Sequence, residues 1–181
     1  MINDKPSWNP VLNKVIEIKR KYRTLFKTID YHYTKELTCV ERWIKELGDI
    51  ENLNLFRFLK LVQKDNLVLF RYADYTDIYS EDDDITSDEL WNVSNGFYRE
   101  CRSVVIDVRK EEIVLAPFRK FFNINERAET SYEAIQNRIN NASVVEFTDK
   151  LDGSMQSATW YEDKIVMAGS QSLDPKNSWR L

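Results

Sequence analysis

Val144–Ser157, VVEFTDKLDGSMQS, is the stretch on which the reading of this chain turns. A β-type run, Val144-Val145-Glu146-Phe147-Thr148, leads to Lys150 and then to an abrupt turn at Asp152-Gly153. A second run of alternating polar and apolar residues follows. The sequence holds four glycines in 181 residues, so one placed three positions after a lysine at the end of a strand calls for a physical reason. Glycine accepts positive φ without a Cβ clash and lets another group come close to the backbone. Two readings of the turn stand side by side. It is either a surface β-hairpin with a lysine on its rim, or a site where that lysine serves as nucleophile or phosphate contact.

Composition narrows the classes. With 43% hydrophobic residues the chain can bury a true core as one domain, or as one and part of another. There is no run of about 18 apolar residues to span a bilayer. Met1 to Pro10 is polar and lacks the apolar centre of a signal peptide. Cys39 and Cys101 are too few and too widely spaced for a disulfide framework or a metal knuckle, and the one histidine, His32, argues against zinc and against a Ser/His/Asp triad. No metal-ligating residue is assigned. These features point to a cytoplasmic, reducing setting with no membrane contact. The net charge of −4 argues against a generally basic nucleic-acid coat but leaves room for a local basic cleft.

Outward from the opening stretch, the chain divides by hydrophobic period. Val11, Val15, Ile18, Tyr22, Leu25 and Ile29 recur at three- and four-residue steps and predict a helix over Val11–Ile29, its basic remainder facing solvent. A second helix is expected from Lys35 to Leu47, with Gly48 as its C-cap. From Leu55 the pattern becomes β. Phe56–Val62 and Leu67–Tyr72 flank Lys64-Asp65-Asn66 as a hairpin. Ala73–Asn95 reads as a polar connection whose acidic run, Glu81–Asp84, lacks the ligand spacing of a calcium loop. Strands are expected at Glu100–Val108 and Ile113–Ala116, and a helix at Ser131–Ile139 with Ser131 as N-cap. Arg102 heads an otherwise apolar strand, and Arg119-Lys120 sit inside an aromatic cluster. Either their stems pack with the charged heads in water, or Arg102 and Lys120 line an anionic ligand site. The fold class is therefore α+β. Residues 1–54 form a mainly helical segment, and residues 55–181 form largely antiparallel strands.

Three blocks stand in order: Glu100-Cys101-Arg102, Lys120-Phe121-Phe122-Asn123-Ile124-Asn125-Glu126, and Lys150-Leu151-Asp152-Gly153-Ser154. Together with Leu67–Tyr72 and Tyr75-Thr76-Asp77 they resemble the phage-type RNA ligase 1 family of ATP-dependent covalent nucleotidyltransferases, over roughly residues 55 to 172. Lys-x-Asp-Gly is shared with DNA ligases and capping enzymes, whereas Lys-Phe-Phe-Asn points to RNA ligases. The resemblance implies that Lys150 attacks the α-phosphate of ATP and holds AMP, with Mg²⁺ as cofactor. It passes AMP to an RNA 5′-phosphate, which a 3′-hydroxyl then attacks. The RNA could be a cleaved tRNA or a general single strand. By the same resemblance Arg102 and Lys120 contact phosphates, and Phe122 and Gly153 shape the nucleotide pocket. Asp152 orients hydrated Mg²⁺ or fixes the turn, and Glu146, Phe147 and Thr148 help to read adenine.

Two departures accompany the match. Ser170 stands where the family pattern has a lysine before Gly-Ser, and the downstream glutamates and Lys-x-Lys strand are absent from this sequence. The chain thus resembles the N-terminal part of such a ligase, with an incomplete nucleotidyltransferase domain. It is expected to be weak or inactive alone, and to self-associate if sheet edges stay unpaired. The alternatives are a DNA ligase or capping-type enzyme, and a non-catalytic nucleotide- or RNA-binding module.

Overall fold

A computed structural model describes residues 8–73 and 87–173. Asn9 opens the first helix, α1 (Pro10–Phe26), by accepting hydrogen bonds from the backbone N–H groups of Val11 and Leu12 at 2.9 and 3.1 Å. Pro10 at the first helical position lacks an N–H that would in any case have no partner within the helix. The helix stops at Phe26 because Lys27 turns left-handed, φ 65°, so the expected extension to Ile29 does not form and Leu25 points to solvent. Helix α2 (Cys39–Leu47) begins later than Lys35. A capping box between Thr38 and Glu41 fixes its start, and Thr34 holds the preceding residues in a turn of their own. Gly48, φ 61°, ends α2 as expected. The sequence reading missed α3 (Ile50–Phe56), whose cap is Asp49, and this short helix delays the first strand to Leu59.

Strands β1 (Leu59–Lys64) and β2 (Leu67–Tyr72) form the expected hairpin. The segment read as a polar connection carries a helix instead, α4 (Ser87–Glu100). Its Leu90, Trp91, Phe97 and Tyr98 are buried at spacings of one, seven and eight residues, a helical period that the polar residues between them masked. Tyr75-Thr76-Asp77 and the acidic run Glu81–Asp84 lie outside the described residues. Strands β3 (Arg102–Asp107) and β4 (Glu112–Leu115) complete an antiparallel sheet in the order β1-β2-β3-β4. Helix α5 (Tyr132–Asn141), capped by Ser131, comes next. The last elements form a two-stranded antiparallel ribbon, β5 (Gln156–Tyr161) and β6 (Lys164–Gly169). The architecture is α+β, helices first and antiparallel strands after.

Both faces of the four-stranded sheet are covered. Val68, Phe70, Val104 and Ile106 join the helices in the larger core, around Val15, Ile18, Trp43 and Phe97. Leu69, Val105 and Leu115 face the other way and pack on Val166, Ala168 and Leu173, joined by Val114, the extra residue at an irregularity in the β3–β4 ladder. This is the period-2 alternation of strands put to use on both sides. Two polar anchors fix the layers. Lys19, nearly buried, donates to the carbonyls of Val108 and Arg109 at 2.9 and 3.1 Å and pairs with Glu111 at 2.7 Å, tying α1 to the β3–β4 turn. On the opposite face the Tyr161 hydroxyl donates toward Asp107 at 3.0 Å and Glu112 at 2.6 Å, tying the ribbon to the same end of the sheet. Cys39 and Cys101 are buried free thiols, and burial pushes the Cys39 thiol up to about 12.

One expected strand is absent. Val144–Thr148 is irregular, within a stretch from Ala142 to Met155 that has no regular secondary structure. Val144 and Phe147 are 72% and 86% exposed. β-propensity expresses fit to a pleated, half-buried surface, and no strand among the described residues offers this run a ladder.

Two stability predictions follow from the anchors. Lys19→Met should cost about 1–3 kcal/mol in denaturant unfolding, because it removes three partners of a shielded ammonium, whereas Lys14→Met, which removes one partner at the partly exposed i,i+3 pair Lys14–Glu17, should cost less than about 1 kcal/mol. Equal effects would contradict the anchor. For Tyr161, burial and its two carboxylate partners push the phenol well above the ordinary tyrosine range. Above pH about 10 the unfolded chain loses this proton while the folded chain keeps it. Its contribution is therefore complete below that pH and fades as pH rises further. Thermal melts should show the chain losing stability more steeply above pH 10 than the Tyr161→Phe variant does.

Candidate functional site

Strand pairing places the first site residue. Phe70 pairs with Val104 but Arg71 pairs with Arg102, so β3 carries one extra residue, Ser103, between two steps of the ladder. Ser103 takes φ 69° to do so. Without this bulge Arg102 would share the face of Val104 and point into the helical core. With it, Arg102 turns to the ribbon face beside Arg71. There the two arginines line a cavity of about 300 Å³ with Ser103, Met155, Ser170 and Gln171. The Arg102 guanidinium lies over the Phe121 ring, 4.6 Å from its centre, which orients it while leaving N–H donors at its edge. The cavity therefore joins Arg102 to the residue just before the ribbon and to the Ser170 position just after it.

The second block folds into a separate cluster. The Lys120 N–H donates to the Arg99 carbonyl at 2.7 Å, and the Lys120 ammonium sits 5.3 Å from the Phe122 ring centre and 5.7 Å from that of Trp91. Phe122 meets Trp91 edge-on at 5.9 Å and carries Arg99 and Arg127 over its ring at 5.1 and 4.2 Å. Phe122 thus lines a cage of cations against the helical core and not the Arg102 cavity. Arg99 organises the cage. Nearly buried, it donates to the Trp91 carbonyl at 2.9 Å and to Asn92 Oδ1 at 2.8 Å, and pairs with Glu129 at 2.6 Å. Sequence reasoning missed this residue. Its signal was an arginine two positions after a buried aromatic at a helix end, which is no different from a solvated one. The remainder of the block, Asn123–Glu126, is a turn that Asn125 closes by accepting from the Tyr132 N–H at 2.9 Å.

Lys150 stands apart from both clusters. Its sequence context places it at a strand end, and the family resemblance puts it in one nucleotide site with Arg102 and Lys120. The structure places it in the irregular segment with its side chain 71% exposed, and neither cation touches it. Its neighbour is the fully exposed Asp152, at 3.8 Å. Glu146, Phe147 and Thr148 are exposed as well. Gly153 does adopt positive φ, 140°, but open space surrounds it, so no protein group makes the close approach that its lack of a Cβ permits. Lys150 is nonetheless tethered to the cavity. It precedes the cavity-lining Met155 by five positions, a span of at most about 17 Å in extended chain.

Other features compete weakly. A larger cavity, about 590 Å³, lies between the Tyr33–Thr38 segment and β1 and contains none of the motif residues. Among the described residues no group of three acidic, histidine or cysteine side chains is placed to hold a metal ion, and no helix is long and apolar enough to cross a membrane.

Comparison with known proteins agrees with the motif order. No curated protein and no solved structure matches the chain. Residues 100–180 match the model of a family described as RNA ligase, of the phage T4 type. The segment carrying Arg102, Lys120, Lys150 and Ser170 is therefore similar to the phage-type RNA ligases, as its three sequence blocks suggest.

Proposed function

We propose that this chain serves ATP-dependent joining of RNA ends, with Lys150 as the nucleophile that accepts AMP. The observation that carries the reading is the cavity beneath the ribbon. Within the segment similar to RNA ligases, it brings Arg102 together with both ends of the ribbon that starts just after the Lys150 turn. A guanidinium there suits the phosphates of a nucleotide. In the proposed step the neutral Lys150 Nζ forms a nitrogen–phosphorus bond to the α-phosphate of ATP. The bond from that phosphorus to the pyrophosphate oxygen breaks, and the Nζ proton passes to solvent. Arg102 would offset the charge that develops on the leaving group.

Delivery of Lys150 requires the segment from Ala142 to Met155 to fold in over the cavity. Gly153 and the five-residue tether permit it, and Glu146, Phe147 and Thr148 would travel with the lysine to meet the base. Lys120 and Phe122 enter this reading as the block that the Arg99 cage holds in place. AMP would then pass to an RNA 5′-phosphate, and a 3′-hydroxyl would attack that phosphate, forming the phosphodiester and releasing AMP. Mg²⁺ belongs to the proposal through the family resemblance, and the described residues assemble no site of their own for it. A self-associated state through the β1 or β4 edge of the sheet is compatible with the same site.

The exposure of Lys150 favours one second reading, a nucleotide- or RNA-binding module without a covalent step. Intact-mass measurement after incubation with ATP and Mg²⁺ separates the two. The ligase reading expects a gain of one adenylate that disappears in Lys150→Ala and in Lys150→Arg. Saturable ATP binding with no trace of the adduct supports the module. Parallel incubations with GTP and with nicked DNA test the capping and DNA-ligase alternatives, for which no productive reaction is expected.

A further inference from the structure

We propose that Phe121 is a positioning residue for the adenylylation step: it holds the Arg102 guanidinium in the orientation that presents N–H donors to a nucleotide phosphate. The inference rests on the reading of the cavity as a nucleotide site. It gives a role to the aromatic of the second block that faces away from the cation cage.

The path of the block sets the contact. Lys120 and Phe122 both turn to the helical side, where the Lys120 ammonium and the Phe122 ring meet Trp91. Successive side chains of an extended chain leave on opposite sides, so Phe121 is sent the other way. Its ring centre there lies 4.6 Å from Arg102 Cζ. Three contacts pin the block to α4. The Lys120 N–H donates to the Arg99 carbonyl at 2.7 Å, Arg119 Nε lies 3.4 Å from Glu100 Oε1, and Phe122 packs edge-on against Trp91. Arg102 opens β3 two residues after α4 ends at Glu100. One helix end therefore fixes both partners, the ring and the root of the arginine.

Arg102 depends on that support. Arginine is long and loses much rotamer freedom when its head is fixed. No hydrogen bond or ion pair holds this guanidinium among the described residues, which leaves the ring to set its orientation. A ring face attracts the cation through its quadrupole, and the N–H donors of the guanidinium lie in its own plane, clear of the ring. A carboxylate in the same place would occupy those donors. The phenyl ring thus fixes the fork and leaves its edge for phosphate oxygens. Phe121 is 49% exposed, so its ring is not needed to fill the core.

Calorimetric titration of the full chain with ATP, with a thermal melt of each variant, tests the role. Phe121→Leu keeps an apolar side chain without the ring. It should weaken ATP about three- to thirtyfold, the range of one cation–π contact, and melt with the parent chain. Phe121→Tyr and Phe121→Trp keep a ring face and should hold ATP affinity within about twofold of the parent. Arg102→Gln removes the group through which Phe121 acts, so adding Phe121→Leu to it should change the affinity by less than about twofold. An undiminished second loss in that double variant, or equal losses in the leucine and tryptophan variants, would overturn the role. A readout without ligand separates this outcome from the fate of the ligase reading. Nitrogen relaxation at Arg102 Nε should report faster motion in Phe121→Leu and parent-like order in Phe121→Trp, and unchanged motion in both overturns the positioning. Lys150 that gains adenylate in Phe121→Leu as in the parent, with ATP affinity unchanged, removes the positioning alone. Arg102 that loosens on loss of the ring in a chain that never gains adenylate removes the covalent step alone.

Discussion

The bulge at Ser103 governs what this sheet can do. Strand side chains alternate faces with a period of two, so a single extra residue reverses every assignment on one side of it. On the C-terminal side, Val104 and Ile106 enter the helical core and Val105 the ribbon core. On the N-terminal side, Arg102 faces the ribbon cavity and not the core that its parity with Val104 would dictate. An unpaired guanidinium in the helical core would cost several kcal/mol in desolvation. The left-handed backbone at Ser103, φ 69°, costs about 1–3 kcal/mol. The smaller cost wins, and it leaves a charge at the mouth of a cavity.

That cavity exists because the sheet is covered twice. Helices close one face, and the β5–β6 ribbon closes the other through Val166 and Ala168 and through the Tyr161 hydroxyl on Asp107. Asp107 is 3% exposed and also accepts from the N–H groups of Arg109 and Lys110, so its carboxylate is fixed before the ribbon reaches it. The anchor lies at one end of β3 and the arginines at the other. A ribbon pinned at the Asp107 end leaves the Arg102 end open between the layers, with Met155, Ser170 and Gln171 as its rim.

Local chemistry made much of the fold legible. The β1–β2 hairpin, the Gly48 cap, the Ser131 cap and the strand at Arg102–Asp107 each follow from turn residues, cap residues or alternation close in sequence. What was misread depends on partners distant in sequence. Val144–Thr148 has strand composition, yet a strand exists only where another strand completes its hydrogen bonds. Helix α4 was hidden because its buried residues are separated by polar ones, and a helical period competes poorly with a polar average. Arg102 and Lys120 stood out as cations in apolar surroundings. Arg71 did not, since an arginine near the end of an alternating strand is ordinary. Only the register, set by a one-residue insertion in a different strand, places it opposite Arg102. The division of the site into a cavity and a cation cage is likewise a property of packing, carried by Arg99, which belongs to no sequence block.

The exposed position of Lys150 follows from what its segment lacks. Ala142–Met155 has no regular secondary structure, and the Lys150 side chain is 71% exposed with Asp152 at 3.8 Å. A charged group keeps its hydration unless a burying site returns partners of equal worth. The Arg102 side of the cavity offers the ammonium a like charge. In the proposed reaction a nucleotide phosphate beside Arg102 would supply the missing partner, and the tether to the ribbon limits how far the lysine would travel to meet it.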